Sequence, residues 1–169
     1  MDMLRLRPYK ACDAKTIVTW VGDEVSFRKW CADRYDHYPI SAEDMNEHYN
    51  AVAYDDNFYQ FTAFDESGIV GHLIMRFTDE EKKILRFGFV IVDPKKRGQG
   101  YGKKMLELAI KYAFEILKTE KITLAAFDNN PEAIRCYKAV GFKEIIPEEE
   151  RPFCVFDEQW QRVEMEMTQ

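Results

Sequence analysis

The apolar positions change period several times along the chain, and each change marks an element. Leu4-Arg5-Leu6-Arg7 alternates and stops at Pro8, which predicts a short first strand. A short helical stretch starts at Cys12 or Asp13 and carries Ile17, Val18 and Val21. From Val25 to Tyr38 the chain is aromatic and irregular. Ser41-Ala42-Glu43-Asp44 has capping-box spacing and predicts a helix running toward Tyr49 or Val52. Phe58 to Phe64 and Ile69 to Phe77, separated by Asp65-Glu66-Ser67-Gly68, read as a hairpin. Ile84 to Val92 is a further strand. A glycine cluster follows, and a helical period begins at once and runs to about Leu117, with Leu106, Ala109, Ile110, Ala113 and Leu117 on one side. Ile122 to Phe127 is a short buried strand. Pro131 suits the first turn of a second helix, which carries Ala133, Ile134, Tyr137 and Val140 and stops at Gly141. Phe142 to Ile146 and Phe153 to Met167 supply the last strands. Antiparallel hairpins followed by strand–helix–strand–helix–strand predict one mixed α/β domain over residues 1–169.

Composition narrows the function. The chain has 46% hydrophobic and 14% aromatic residues, enough for a sizeable core. Its formal charge is −6, which does not indicate general nucleic-acid binding. Basic residues still gather at Lys95, Lys96, Arg97, Lys103 and Lys104. Cys12, Cys31, Cys136 and Cys154 lack Cys-x-x-Cys spacing and read as free thiols of a reducing compartment. His37, His48 and His72 are widely separated, so no metal site is suggested. There is no apolar stretch long enough to span a bilayer and no secretory leader, so no membrane partner is expected and the default location is cytoplasmic.

The richest chemistry lies where the Ile84 strand meets the glycines. Asp93-Pro94-Lys95-Lys96-Arg97-Gly98-Gln99-Gly100-Tyr101-Gly102 forms a basic turn that opens a helix. Backbone N–H groups at such a helix start can bind an anion, and small glycines let a phosphate reach them. No Gly-Lys-Ser/Thr follows, so this is not a nucleotide P-loop. A dinucleotide fingerprint fits poorly. Asp128 falls at a tolerable spacing for one, but the lysines and arginine before the glycines suit a phosphate-rich ligand gripped from the turn. The plain alternative is a surface turn with a capping glycine and solvated charges.

Two segments together carry a family resemblance: Val92 to Gly102, and Asn130-Pro131-Glu132-Ala133-Ile134-Arg135-Cys136-Tyr137-Lys138-Ala139-Val140-Gly141-Phe142. The chain resembles the GCN5-related N-acetyltransferase (GNAT) superfamily. By its opening Leu-Arg-Leu-Arg-Pro and its closing strand from Trp160 to Met167 the chain more closely resembles the branch that holds ribosomal-protein N-terminal acetyltransferases and many small-molecule acetyltransferases. The resemblance implies a mostly antiparallel mixed sheet of six to seven strands, flanked by helices, with a splayed central strand pair. It implies acetyl-CoA as donor and coenzyme A as product. Arg97, Gly98, Gln99, Gly100, Tyr101, Gly102 and Lys103 would then form the pyrophosphate loop. Phe89, Val90, Ile91 and Val92 would offer backbone groups to the pantetheine arm, with Asn130 and Ala133 also on the cofactor. Tyr137 matches the tyrosine placed near the cofactor sulfur.

Acetyl transfer to an amine needs a neutral nucleophile, a polarised carbonyl and a protonated leaving thiolate. An alkylamine has a pKa of about 10.4 and must lose a proton first. Many relatives carry a glutamate seven residues before the turn proline, and here that position is Phe87. Remaining base candidates are Glu80, Glu81, Asp128 and His72, or an ordered water. Glu80 and Glu81 also read as a solvated charge pair, Asp128 as a turn residue and His72 as a structural histidine. Tyr137 is the expected acid; its plain alternative is a buried helix aromatic, and both roles could coexist. Asn130 could also cap its helix. Trp30, Asp33 and Tyr38, with Asp36, could form an aromatic–acidic acceptor pocket, or be ordinary packing aromatics and surface acids. The acceptor is expected to be a small amine or a peptide N-terminus, and the protein a monomer or homodimer. The competing reading is an acetyl-CoA-binding sensor with little catalysis.

Overall fold

The structure, a computed structural model, describes residues 3–169. Strand β1 is Arg5–Pro8, and a short helix α1, Ala14–Ile17, follows between two 3-10 turns. Helices α2, Glu24–Cys31, and α3, Ala42–Asn50, come next. Then follow β2, Phe58–Asp65, β3, Gly68–Phe77, and β4, Ile84–Val92. Helix α4, Tyr101–Lys111, leads to β5, Lys121–Phe127, and α5, Pro131–Ala139. The chain ends in β6, Lys143–Glu144, β7, Phe153–Val155, β8, Glu158–Trp160, and β9, Arg162–Thr168.

Seven strands form one sheet in the order β1-β2-β3-β4-β5-β9-β6, and β7-β8 is a separate hairpin. Every pairing in the large sheet is antiparallel except β4 with β5. The last strand enters between β5 and β6, so the sheet is the mixed, mostly antiparallel one expected. One face packs on α4 and α5, where Leu73, Met75, Leu85, Phe87 and Leu124 meet Met105, Leu106 and Tyr137. The other face packs on α1 to α3, where Ile74, Phe89 and Ile91 meet Ile17, Phe27, Met45 and Tyr49.

Strand β4 changes faces partway along. Alternation would put Leu85, Phe87, Phe89 and Ile91 on one side. Instead Ile74 pairs with Gly88 and His72 with Ile91, so three steps on β4 match two on β3. The extra residue is a bulge, and Phe89 takes a φ of +48° there. Phe89 and Ile91 therefore join the second layer. Helix α4 lies close on the sheet: a Cβ on Gly71 would come within 2.6 Å of Met105 Sδ.

Four sequence expectations need adjustment. The irregular stretch from Val25 contains α2, whose Asp23 side chain accepts from the Ser26 N–H at 2.8 Å. That cap lies just ahead of the aromatic run and sets the helix despite its mixed pattern. The helix after the glycines is α-helical only to Lys111 and then widens into a π turn over Tyr112–Ile116. Phe142 to Ile146 contributes only Lys143–Glu144 to the sheet. Phe153 to Met167 breaks at Phe156 and Asp157, both at positive φ, because two such residues fold the chain back as a tight hairpin. The Ser41 capping box forms as expected, with the Asp44 N–H donating to Ser41 Oγ at 3.1 Å and the Ser41 N–H to Asp44 Oδ2 at 2.7 Å. Among the described residues no helix is long and apolar enough to cross a membrane.

Candidate active site

Strands β4 and β5 pair only at Ile84 with Lys121, Leu85 with Ile122 and Arg86 with Thr123. Beyond those positions the two strands diverge. Strand β5 stays laddered to β9 through Phe127, and β4 stays laddered to β3. Their facing edges carry N–H and C=O groups that no strand satisfies. Buried backbone groups need partners, so this V-shaped slot is prepared for a ligand that hydrogen-bonds along it. The slot opens into a cleft of about 790 Å³ whose walls include Phe87 to Val92 and Ala125.

The glycine turn stands at the mouth. The Lys96 N–H donates to the Asp93 carbonyl at 2.8 Å and the Lys95 N–H to Asp93 Oδ1 at 3.0 Å. Gln99 Nε2 donates to the Lys95 carbonyl at 2.9 Å, and Arg97 Nε to the Val92 carbonyl at 3.2 Å. Gly98 and Gly100 take φ of +72° and +85°, values that favour glycine. Gly100 caps α4 with no side chain over the helix start. The first N–H groups of α4 are thus free for an anion. Arg97, Lys103, Arg135 and Lys29 line the same cleft and add positive charge.

Two residues of the turn work on its shape. Gln99 braces the turn as above, and Tyr101 points inward, where its hydroxyl donates to Asp65 Oδ2 at 2.9 Å. Neither side chain lines the cleft. Gly102 does, and a Cβ there would sit 3.4 Å from Cys136 Sγ.

Helix α5 forms the opposite wall. Pro131 at its start fixes the entry, and the i, i+3, i+4 spacing turns Ala133, Cys136 and Tyr137 toward the slot. Asn130 makes no side-chain cap, so its amide is free in the cleft lining. Tyr137 is buried, and burial pushes its hydroxyl pKa above the ordinary range, with a smaller push from Cys136. The hydroxyl therefore keeps its proton at neutral pH. Burial also raises the Cys136 thiol, which Lys103 opposes only in part. Cys136 is a thiol, not a thiolate, at neutral pH.

The base candidates lie elsewhere. Phe87 is buried and packs edge-on to Phe142. Glu80 and Glu81 are exposed on the turn before β4, at its laddered end, and Glu81 pairs with Lys83 at 2.8 Å. Asp128 is exposed at the end of β5 and outside the cleft lining, its N–H donating to the Gln161 carbonyl at 2.9 Å. His72 is sealed beneath α3, with Nε2 2.6 Å from the Tyr49 hydroxyl, and burial drives its pKa down to about 3. Glu132, in the first turn of α5, is the one carboxylate of the cleft lining among the described residues.

Of the three proposed acceptor contacts, Trp30 reaches the cleft and packs on Phe89 with ring centroids 5.2 Å apart. Asp33 is exposed outside it, and Tyr38 packs on Phe27 at 5.1 Å. Sequence reasoning did not single out Ser26 and Lys29, which α2 brings to the wall. The Asp23–Ser26 cap spacing was the signal that could have found that helix.

The acetyltransferase (GNAT) family matches residues 25–142, a span that holds the slot, the turn and α5. Over 52 residues, 31% of this chain, the sequence is 42% identical to the spermine/spermidine N(1)-acetyltransferase of Bacillus subtilis. That match spans about a third, 34%, of the Bacillus protein's length. Over 144 residues it is 24% identical to the spermidine N(1)-acetyltransferase of Vibrio cholerae, covering 85% of this chain and 80% of that one. The crystal structure of spermidine N-acetyltransferase from Vibrio cholerae in complex with CoA and spermine superposes with a TM-score of 0.83 at 23% identity. It covers 98% of this chain and 95% of that one, and the likeness is one of fold. These relatives correct the placement beside the ribosomal-protein N-terminal acetyltransferases. The features behind that placement are structural: Arg7 makes two 2.8 Å bonds to Asp13, while Leu4 and Trp160 are buried. From the matched span and the slot within it, the chain belongs to the acetyltransferase (GNAT) family.

Proposed function

We propose that the chain transfers the acetyl group of acetyl-CoA to the primary amine of a small molecule, by direct attack within a ternary complex. The observation that carries this reading is the slot, with its unladdered β4 edge, open helix start and buried tyrosine. These residues fit the donor. The free N–H groups of α4, with Arg97 and Lys103, suit a pyrophosphate. The edge from Phe89 to Val92 and the uncapped Asn130 suit an amide-bearing arm, and Ala133 leaves it room. Bound there, acetyl-CoA supplies an activated acyl carbon and a thiolate leaving group.

Chain residues do the rest. Backbone N–H groups of the β4 edge can stabilise negative charge on an acyl oxygen. The Tyr137 hydroxyl holds the proton that a departing thiolate requires. Cys136 has no depressed pKa and no histidine partner, which favours direct attack over a covalent enzyme intermediate. Removal of the amine proton falls to solvent water, because Glu81, Asp128 and His72 do not face the slot and Glu132, which does line the cleft, stands exposed to solvent in the first turn of α5. The local likeness to a Bacillus enzyme named for spermine and spermidine supports a small amine as acceptor.

The test is release of coenzyme A from acetyl-CoA across amines, polyamines, amino acids, aminoglycosides and short basic peptides, with mass detection of products. Strong acceleration by a small amine is expected. Acceleration by peptides alone would overturn the acceptor class. Acetyl-CoA binding with no acceleration by any amine would favour the sensor reading.

A further inference from the structure

A second recess of about 820 Å³ is built on the same strands as the slot. Arg86 in its wall precedes Phe87 of the slot, and Glu164 in its wall is the register partner of Ala125. Arg76 and Arg86 are directly opposed across β3 and β4. They share the face of Ile74, the one covered by α1 to α3. Arg34, just past α2, closes over the same recess.

Like charges directly opposite on a sheet repel, so this arrangement needs a counter-charge. Arg86 has one: its guanidinium donates to both Glu164 oxygens, at 3.0 and 3.1 Å. Arg76 has none. It is half-buried, and among the described residues its guanidinium makes no hydrogen bond or ion pair. The charges that act on it are Arg34 and Arg86, which add to burial in lowering its pKa. Arg34 is likewise unpaired among the described residues. The rim carboxylates do not supply the missing charge. Glu149 pairs with Arg151 at 3.0 Å, and Glu148 and Glu150 are exposed and, among the described residues, form no ion pair with either arginine.

We infer that the amine acceptor carries a second, anionic oxygen group, a carboxylate or a phosphate monoester, that seats on Arg76 and Arg34. The inference rests on the acetyl-transfer reading and narrows its substrate class. A guanidinium presents paired N–H donors that match such oxyanions in plane. Five arginines and four glutamates line the recess, so a polyamine would meet a net positive wall in which Arg34 and Arg76 are not neutralised. The chemistry itself is unchanged. The neutral amine nitrogen forms the C–N bond, the C–S bond breaks, the amine proton passes to water, and the Tyr137 proton passes to the thiolate. Tyr137 regains its proton from solvent. The anionic group is held and not consumed.

Matched acceptors test this: 4-aminobutyrate against n-butylamine, O-phosphoethanolamine against ethanolamine, and spermidine as the polycation. Coenzyme A release gives kcat/KM, and calorimetry gives acceptor binding to enzyme loaded with coenzyme A. We expect one anion-bearing amine to exceed both its uncharged partner and spermidine by about tenfold or more, one arginine–oxyanion contact being worth at least a factor of ten. The two arms report whether the oxyanion is a carboxylate or a phosphate. Arg76→Gln should erase the preference through KM while acetyl-CoA affinity holds, and Arg76→Lys should restore part of it. Arg34→Gln, at an exposed position, gives a second reading if Arg76→Gln does not fold. Equal or better use of spermidine, or no binding by any anion-bearing amine, overturns the inference and leaves acetyl transfer standing if any amine is acetylated. Binding that needs Arg76 but releases no coenzyme A keeps the anion site and sinks the acetyl-transfer reading.

Discussion

Gly98→Ala separates the backbone geometry of the turn from its bulk. Gly98 has a φ of +72°, and a Cβ there would meet nothing within 4 Å. The cost is therefore conformational. An L-residue in the left-handed region loses ~1–2 kcal/mol. The stiffer unfolded chain returns ~0.4–1 kcal/mol of that. The net loss of stability is then about 0.5–1 kcal/mol, which lowers Tm by roughly 1–4 °C for a chain of this size. The turn can also relieve strain by rotating, and this misaligns the N–H groups at the start of α4. Each hydrogen bond to a charged group is worth about 1.5–3 kcal/mol, so losing one weakens binding by about tenfold or more. Calorimetric titration with acetyl-CoA, beside a thermal melt, measures both effects. Gly22→Ala is the control, since a Cβ there also meets nothing and its φ is ordinary. A folded Gly98→Ala protein with wild-type acetyl-CoA affinity would refute the placement of the donor at this turn.

Three further outcomes are expected. Tyr137→Phe should leave acetyl-CoA affinity unchanged and lower kcat by ~10²–10⁴, the usual range for a lost general acid; full turnover would remove Tyr137 as the acid. With solvent as proton acceptor, kcat/KM should rise tenfold per pH unit up to the acceptor's own pKa, about 10 for an alkylamine. A plateau that stays fixed when the acceptor changes would reveal an enzyme base. His72 titrates near 6.5 when unfolded and near 3 when folded, so the unfolded state binds the extra proton between those values. Its neutral burial is fully compatible with folding above about pH 6.5, and stability then falls by about 1.4 kcal/mol per pH unit toward pH 3. Urea unfolding at pH 7.5 and 5.0 should show about 2 kcal/mol of loss that His72→Gln lacks; the same loss in the variant would place the titration elsewhere.

The periodic elements were legible in the residues because local spacing and capping mark them, even where, as in β3, both faces are buried. The β2–β3 hairpin, the α3 capping box and the run into α4 all follow local rules. Helix α2 was harder to read because its buried side carries Phe27 and Cys31 while Trp30 opens on the cleft, so aromatics appear on two faces. The bulge at Phe89 was hidden for a different reason. Nothing in Phe-Gly-Phe-Val announces an extra residue, since its cause is the register with β3. Site chemistry divided in the same way. The glycine turn and the Asn130–Tyr137 helix depend on neighbours in sequence. The opposition of Arg76, Arg86 and Glu164 depends on two strand registers and stays invisible until the sheet is assembled. Asp33 and Tyr38 lie beside Trp30 in sequence, yet the turn after α2 carries them away from the cleft.

The three-residue join between β4 and β5 has a mechanical meaning. The sheet behaves as two blades, β1 to β4 and β5-β9-β6, riveted at one end by three register pairs and the Arg86–Glu164 bridge. Torque on either blade is borne by that rivet and by the core that α4 and α5 share with the sheet. On the proposed reading, a donor in the gap would lend its own amides to the missing ladder and act as a removable strand. The joint would then be stiffest when loaded and loosest once the spent donor has left.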